Sequence, residues 1–232
     1  MMHPTAMMNC TKFFEAYADS FLDQQKVRVI EIGSQDVNGG LRGTAPASFE
    51  YIGVDFVEGK GVDVVLDDPY SLPFESESAD IILSSSCFEH SEMFWLVFLE
   101  IMRVLKPKGL LYMNAPSNGP FHRYPVDCWR FYPDSGRALV TWAKRNAMNV
   151  ALLESYVSAQ VPGDIWNDFV AVFVKDEAHA EGFPKRILNA KTDISNGVVR
   201  GIDEFVNQSA MPEDMRKLMV IGQIVENKIR IN

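Results

Sequence analysis

Residues 27–40, VRVIEIGSQDVNGG, decide how the rest of the chain is read. The apolar run Val27–Ile32 has the length and β-branched makeup of a buried parallel strand, and it carries one acid, Glu31. The run ends at Gly33, after which Gln35, Asp36, Asn38, Gly39 and Gly40 are turn formers. Strand, tight turn, then helix or loop is how an open α/β sheet presents a nucleotide-sized ligand at its carboxyl edge. A dinucleotide requires G-x-G-x-x-G, so that backbone N–H groups can close on a pyrophosphate. Here Gln35 and Asn38 occupy the second and third glycine positions, and the turn has no lysine or arginine to meet phosphate. Glu31 and Asp36 flank it instead, an acidic setting that suits a ligand with a cationic centre and no phosphate.

The strands that follow extend this pattern. Tyr51–Val54 is a second apolar strand, closed by Asp55; a carboxylate is acceptor-only and can take both hydroxyls of a ribose. Val62–Leu66 is a third, closed by Asp67 and Asp68, and Ile81–Ser84 is a fourth. Few residues separate Ile32 from Tyr51, so the first crossover has room only for a short helix near 39–42. Glu92–Val104 reads as an amphipathic helix, stopped by the KPKG of 106–109, and Leu110–Ala115 as strand five. A long polar and aromatic loop, 116–133, leads to a helix over Asp134–Arg145 and to strands Ala151–Ser158 and Phe169–Lys175. Ahead of all this, Thr11–Leu22 has helical periodicity. After Lys175 a polar linker leads to two further stripes of helical periodicity, Ile194–Val206 and Pro212–Ile229, which need an apolar partner.

Composition narrows the function. The 232 residues suffice for one large α/β domain with additions or two small ones. A formal net charge of −9 with no basic run argues against a nucleic-acid partner, whose binding is dominated by phosphate neutralisation. No apolar stretch reaches the roughly 20 residues needed to span a bilayer, and the amino terminus lacks the pattern of a signal peptide. Cys10, Cys87 and Cys128 have no metal or redox spacing, so no metal site is expected and a reduced, cytoplasmic protein is.

Together the acid and glycine at Glu31 and Gly33, the acids after strands two and three, and the stretches LDDPYSLPF (66–74), SCFEH (86–90), RVLKPKG (103–109) and HRYPVDCWRFYP (122–133) resemble the Rossmann-like S-adenosylmethionine-dependent methyltransferases. More narrowly they resemble a bacterial group of largely unassigned substrate. The resemblance covers about Val27 to Lys175. It implies an α/β, doubly wound, mostly parallel sheet of seven strands in the order 3-2-1-4-5-7-6, the last strand antiparallel, with an N-terminal helix and a C-terminal helical extension. The corresponding division is an N-terminal helical segment 1–25, a cofactor-binding domain 26–176, and a linker with helical extension 177–232.

The same resemblance implies S-adenosylmethionine as cofactor. Glu31 would face its methionine amino end, Gly33, Ser34 and Gln35 would form the turn against it, and Asp55 would hold the ribose. Asp67, in preference to Asp68, would accept from the adenine amino group. Ser84 and Ser85 would line the methionine side with backbone, or be merely small strand-end residues. Gln35 departs from the family's central glycine, which implies a wider turn and an amide contact to the cofactor.

Transfer of a methyl group from a sulfonium is an in-line displacement, so the protein mainly positions and desolvates the reactants. A base is needed only when the acceptor must lose a proton. His122 is the best candidate, because an imidazole titrates near neutrality, and Asp127 would orient it. His90, next to Glu89, is a second candidate, or else a hydrogen-bonded histidine at a helix entry. Arg123 and Arg130 would hold a carboxylate or phosphate, or Arg130 would pair an internal acid. The expected function is O-methylation of a small-molecule or sugar acceptor such as a glycan precursor, with homo-oligomerisation through the C-terminal helices. The alternatives are a non-catalytic cofactor-binding scaffold and an NAD-dependent oxidoreductase, the latter disfavoured by the missing glycines.

Overall fold

The computed structural model describes residues 4–37, 39–190, 193–210 and 212–229; Asn38 of the first turn lies outside them. Helix α1 (Pro4–Tyr17) precedes the sheet and starts earlier than its periodicity predicts. The strands are β1 (Arg28–Ile32), β2 (Glu50–Asp55), β3 (Val64–Val65), β4 (Ala79–Ser85), β5 (Leu105–Pro116), β6 (Ala151–Ser158), β7 (Asp168–Val174) and β8 (Ile194–Val199). Helices α2 (Phe94–Val104), α3 (Ser135–Arg145) and α4 (Glu213–Val225) complete the fold. The sheet has eight strands in the order β3-β2-β1-β4-β5-β7-β6-β8. β1 to β5 are mutually parallel, and β7 runs antiparallel between β5 and β6. The class, the order of the first seven strands and the reversed seventh strand agree with the sequence reading.

One element differs. Ile194–Val206 is not a helix: Ile194–Val199 is β8, antiparallel on the open edge of β6, and Gly197 bridges Val206. Its apolar residues pair with a strand that would otherwise expose its hydrogen-bonding groups, and that tertiary demand overrides a weak local preference. α4 does form over the second stripe, but none of its residues is buried. It is tied to the body by Glu213, whose Oε2 accepts from the Gln160 amide at 3.0 Å and from Asn167 at 3.1 Å, and by Lys217, which donates to Gln160 Oε1. Among the described residues no helix is long and apolar enough to cross a membrane.

The short first crossover shapes the two faces of the sheet. Only a 3-10 turn, Leu41–Thr44, fits between β1 and β2. α1 therefore supplies the missing layer, burying Cys10, Phe13, Phe14 and Tyr17 over Val29, Ile81 and Tyr112. α2 and α3 cover the opposite face, over Ile30, Ile82, Leu111 and Phe173. The turn before β4 is pinned from α2: Arg103 donates to the carbonyls of Leu72 at 3.1 Å and Phe74 at 2.9 Å, while Glu100 accepts from the Leu72 amide at 2.9 Å. The KPKG segment is a bulge inside β5, since Leu105 pairs Ala79 and Leu110 pairs Ile81.

Glu154 on β6 joins three layers. Fully buried, it accepts from the Tyr17 hydroxyl of α1 at 2.6 Å and from the amides of Ile187 and Leu188 at 2.7 and 2.9 Å. Burial pushes its carboxyl above the ordinary range, with these donors opposing the shift. Glu154→Ala leaves three buried donors unmet. We expect a loss of about 3 kcal/mol, read as a lower urea midpoint; an unchanged midpoint would show that these contacts do not hold the layers together.

Candidate active site

A cleft of about 570 Å³ opens at the carboxyl ends of β1, β2, β4 and β5, a volume suited to small-molecule ligands. One wall is the turn after β1. The amides of Gly33 and Ser34 both donate to the Val54 carbonyl, at 2.9 and 3.1 Å, folding the turn onto the end of β2. Gly33 has φ +82°, and a Cβ there would lie 2.8 Å from Cys87 Cβ, so a side chain would push the turn off the segment after β4. Asp55 caps the same corner: its Oδ2 accepts from the Gln35 amide at 3.0 Å and its Oδ1 from the Val57 amide at 3.3 Å. A carboxylate has about four lone-pair sites, so these two bonds fix Asp55 at the cleft wall and leave it able to accept more.

The expected cofactor residues divide into two groups. Gly33, Gln35, Asp55 and Ser85 line the cleft; Glu31, Ser34, Ser84, Asp67 and Asp68 do not. Glu31 is buried on the α1 side, where its Oε2 accepts from the Tyr51 hydroxyl at 2.7 Å and burial pushes its carboxyl up to about 7. Ser34 is buried facing Gly53, whose close strand contact has no room for a Cβ. Ser84 is buried against the Cys87 thiol. Ser85 presents a buried Oγ with no hydrogen-bond partner in the structure. Asp67 and Asp68 are exposed, and Asp68 accepts from the Tyr70 amide at 2.9 Å, so that Leu66, Pro69 and Tyr70 form the wall. The Gln35 amide is engaged across the cleft mouth, its Oε1 accepting from the Tyr124 hydroxyl at 2.8 Å.

The other end of the cleft is built by the segment after β4 and the loop after β5. Glu89 is 1% exposed, and burial pushes its carboxyl up to about 8. His90 places its Nδ1 on the Val126 carbonyl, and desolvation holds its pKa below the ordinary value. The His122 amide donates to Asp127 Oδ2 at 2.7 Å. Its ring Nδ1 lies 3.3 Å from the Pro120 carbonyl and 3.4 Å from Asp127 Oδ2. The His122 ring meets the rings of His90 and Trp166 edge-on, at 4.9 and 5.0 Å between centroids.

Asp127 itself is not in the lining. Arg130 clamps it through two bonds of 2.5 and 2.9 Å, holding its carboxyl down to about 2. Arg130 is thereby an internal partner, and it also braces the Pro120 carbonyl at 2.8 Å. Arg123 is exposed at the cleft wall. Trp129 and Phe131 pack inward, and the Trp129 indole donates to the Ser91 carbonyl at 2.8 Å.

Asp168 and Trp166 are among the lining residues that escaped the sequence reading. Asp168, at the start of β7, is 2% exposed, and burial pushes its carboxyl up to about 6 while the Asn114 amide opposes the rise. Trp166 stands beside it against His122. An Asn-Asp pair after a tryptophan, opening an apolar strand, was the available signal.

Comparison with known proteins agrees with this geometry. Residues 44–113 match the methyltransferase domain family. A phthiotriol/phenolphthiotriol dimycocerosates methyltransferase of Mycobacterium ulcerans is 44% identical over 63 residues, which are 25% of this chain and 22% of that protein. The match therefore spans about a fifth of that relative's length. A 1,6-didemethyltoxoflavin-N1-methyltransferase of Burkholderia thailandensis, crystallised with 1,6-didemethyltoxoflavin and S-adenosylhomocysteine, superposes with a TM-score of 0.55 over 74% of this chain and 79% of that one, at 15% identity. A putative sarcosine dimethylglycine methyltransferase of Galdieria sulphuraria gives 0.54 over 73% and 86%, at 14% identity. The matched segment is thus similar to a methyltransferase domain, and the sheet around it has the fold of these solved methyltransferases.

Proposed function

We propose that the protein transfers a methyl group from S-adenosylmethionine to a hydroxyl of a small-molecule or sugar-like acceptor. The observation that carries this reading is the asymmetry of the cleft. One end has the glycine turn and the doubly braced Asp55, with no arginine or lysine in the turn; the other has two histidines and an acid among rings. The first end fits a nucleoside bearing a cationic centre: Asp55 keeps acceptor capacity for paired hydroxyls, Gly33 lets the turn pack tightly on Cys87, and Ser85 offers an unmet hydroxyl. The cofactor supplies a methyl group already activated on sulfur. The chain's own work is then to hold that group, exclude water and receive the acceptor.

His122 and His90 are the groups that receive the acceptor hydroxyl, with Asp127 positioning His122 from behind. Glu31, Ser34 and Ser84 act from beneath the wall, by shaping the turn and the end of β4. Asp68 supports the Leu66–Tyr70 wall through its bond to the Tyr70 amide, and Asp67 stands exposed at the same corner as the partner proposed for an adenine amino group. The curated relative is named for a triol, in agreement with a hydroxyl acceptor. The apolar residues left exposed on α4, Leu218, Ile221 and Val225 among them, support self-association as its role. A scaffold that binds the cofactor without using it is the second reading, and it too predicts cofactor binding.

Titration calorimetry decides the first step. S-adenosylmethionine or its demethylated product should bind in the micromolar range, about −8 kcal/mol, and tighter binding of NAD would overturn the proposal. Asp55→Ala removes two charge-assisted bonds to the ligand, each worth about 1.5–3 kcal/mol, and should weaken affinity by one to several orders of magnitude with the fold intact. The second step is turnover. With an alcohol acceptor found by labelled-methyl screening of a metabolite pool, His122→Ala should lower kcat by about 10²–10⁴-fold and leave cofactor affinity nearly unchanged. Turnover near that of the unaltered protein would remove His122 from the acceptor's path, and binding without product from any acceptor would favour the scaffold.

A further inference from the structure

We infer that Glu89, His90 and His122 form a binding site for a divalent transition-metal ion at the acceptor end of the cleft, where the ion would hold neighbouring oxygens of the acceptor. This rests on the proposed reading of that end as the acceptor's place, and it replaces direct contact between histidine and hydroxyl with contact through the ion. The spacing of the chain suggested no metal, because the three residues come from two loops more than thirty positions apart and no cysteine joins them.

The geometry is that of a ligand set. One potential ligand atom from each residue lies within 4.8 Å of the other two, and all three residues line the same cleft. Glu89 is almost wholly buried, and its Oε2 has no hydrogen-bond partner in the structure. Its Oε1 lies 3.7 Å from His90 Nε2, facing it at a distance longer than a hydrogen bond. A buried carboxylate left unmet is costly, and a cation in front of it would offset that cost.

The histidines are prepared on their far sides. His90 has its Nδ1 on the Val126 carbonyl, and His122 has its Nδ1 beside the Pro120 carbonyl and Asp127. Oxygen acceptors at Nδ1 place the ring proton there and leave Nε2 as a bare lone pair. This outer support, carbonyl or carboxylate behind imidazole, is what orients metal-binding histidines. For His122 it is itself anchored, because Arg130 fixes Asp127.

Two imidazoles and one carboxylate suit a zinc-like, manganese-like or iron-like ion; calcium and magnesium favour all-oxygen shells. Ligands about 2.1 Å from one ion stand roughly 3–4 Å apart, so the set must close by about an ångström. His122, partly exposed and on a loop, has room to move. Three protein ligands leave coordination positions open, which two neighbouring oxygens of a polyol or catechol-like acceptor would fill.

The test uses the full chain, stripped with a chelator and titrated with cobalt(II). Calorimetry and the visible absorption of the bound ion should report one site per chain. Glu89→Gln and His90→Ala should each weaken binding at least tenfold, and Asp127→Asn, which alters the support behind His122 and the pair with Arg130, by about 10–100-fold. S-adenosylhomocysteine affinity, measured on the same samples, should stay unchanged; circular dichroism checks the fold, and His122→Ala, a substitution in the loop, serves if either first variant misfolds. Absence of a one-to-one site in the unaltered protein, or equal binding by the folded ligand variants, overturns the inference. Cobalt binding without cofactor binding would leave the metal site standing and remove the methyl-transfer reading instead.

Discussion

A single carbonyl, that of Val54, organises the end of the cleft beside β1 and β2. By accepting from both Gly33 and Ser34 it folds the chain back over the end of β2. That brings the Gln35 amide onto Asp55 and leaves the Asp55 carboxylate facing the cleft with its orientation fixed from two sides. Gly33 is the residue that permits this turn, since its positive φ and its closeness to Cys87 both exclude a side chain. The segment after β4 is thereby packed against the turn, and the Glu89–His90 pair reaches the same space from the other side.

The end of the cleft built by the loops after β4 and β5 depends on a different kind of constraint. Loops are poor platforms for chemistry unless they are braced, and the loop after β5 is braced by charge. Arg130 and Asp127 form a bidentate pair within the loop, and each also binds backbone of the same loop. Cys128 and Trp129 then donate their amides to the Glu89 carbonyl at 2.7 and 3.3 Å, fastening this loop to the one after β4. The two histidines are thus held at a common place by contacts that involve neither of their Nε2 atoms.

Much of the architecture was legible because parallel strands buried on both faces leave mostly apolar runs, as at Ile81–Ser84 and, broken by Arg28 and Glu31, at Val27–Ile32. Ile194–Val206 was misread because a short apolar segment fits either period, and only the open edge of β6 decides between them. The cleft residues nearest the strand ends, Gly33 and Asp55, were legible from the turn itself. Glu31 illustrates the limit: in a strand, alternate side chains face opposite layers, so with Ile30 and Ile32 on the α2 side, Glu31 lies beneath α1. Asp168 reaches the site at the start of the returning antiparallel strand and Trp166 just ahead of it, a long-range placement that local pattern does not encode.

The ends of the sheet have a consequence for how the protein behaves in company. At one margin β3 is only two residues long. At the other, Val206 bonds back to Gly197 on the outer side of β8, with mutual N–H to carbonyl bonds of 2.8 Å. Sheets grow into aggregates by adding strands to long, flat, unpaired margins, and short or covered margins block that growth. This sheet offers a foreign strand almost no length to template on at one side and a capped ladder at the other. A predominantly parallel core, slow to assemble and exposed while it does so, is thereby guarded in its finished form against joining its neighbours edge to edge.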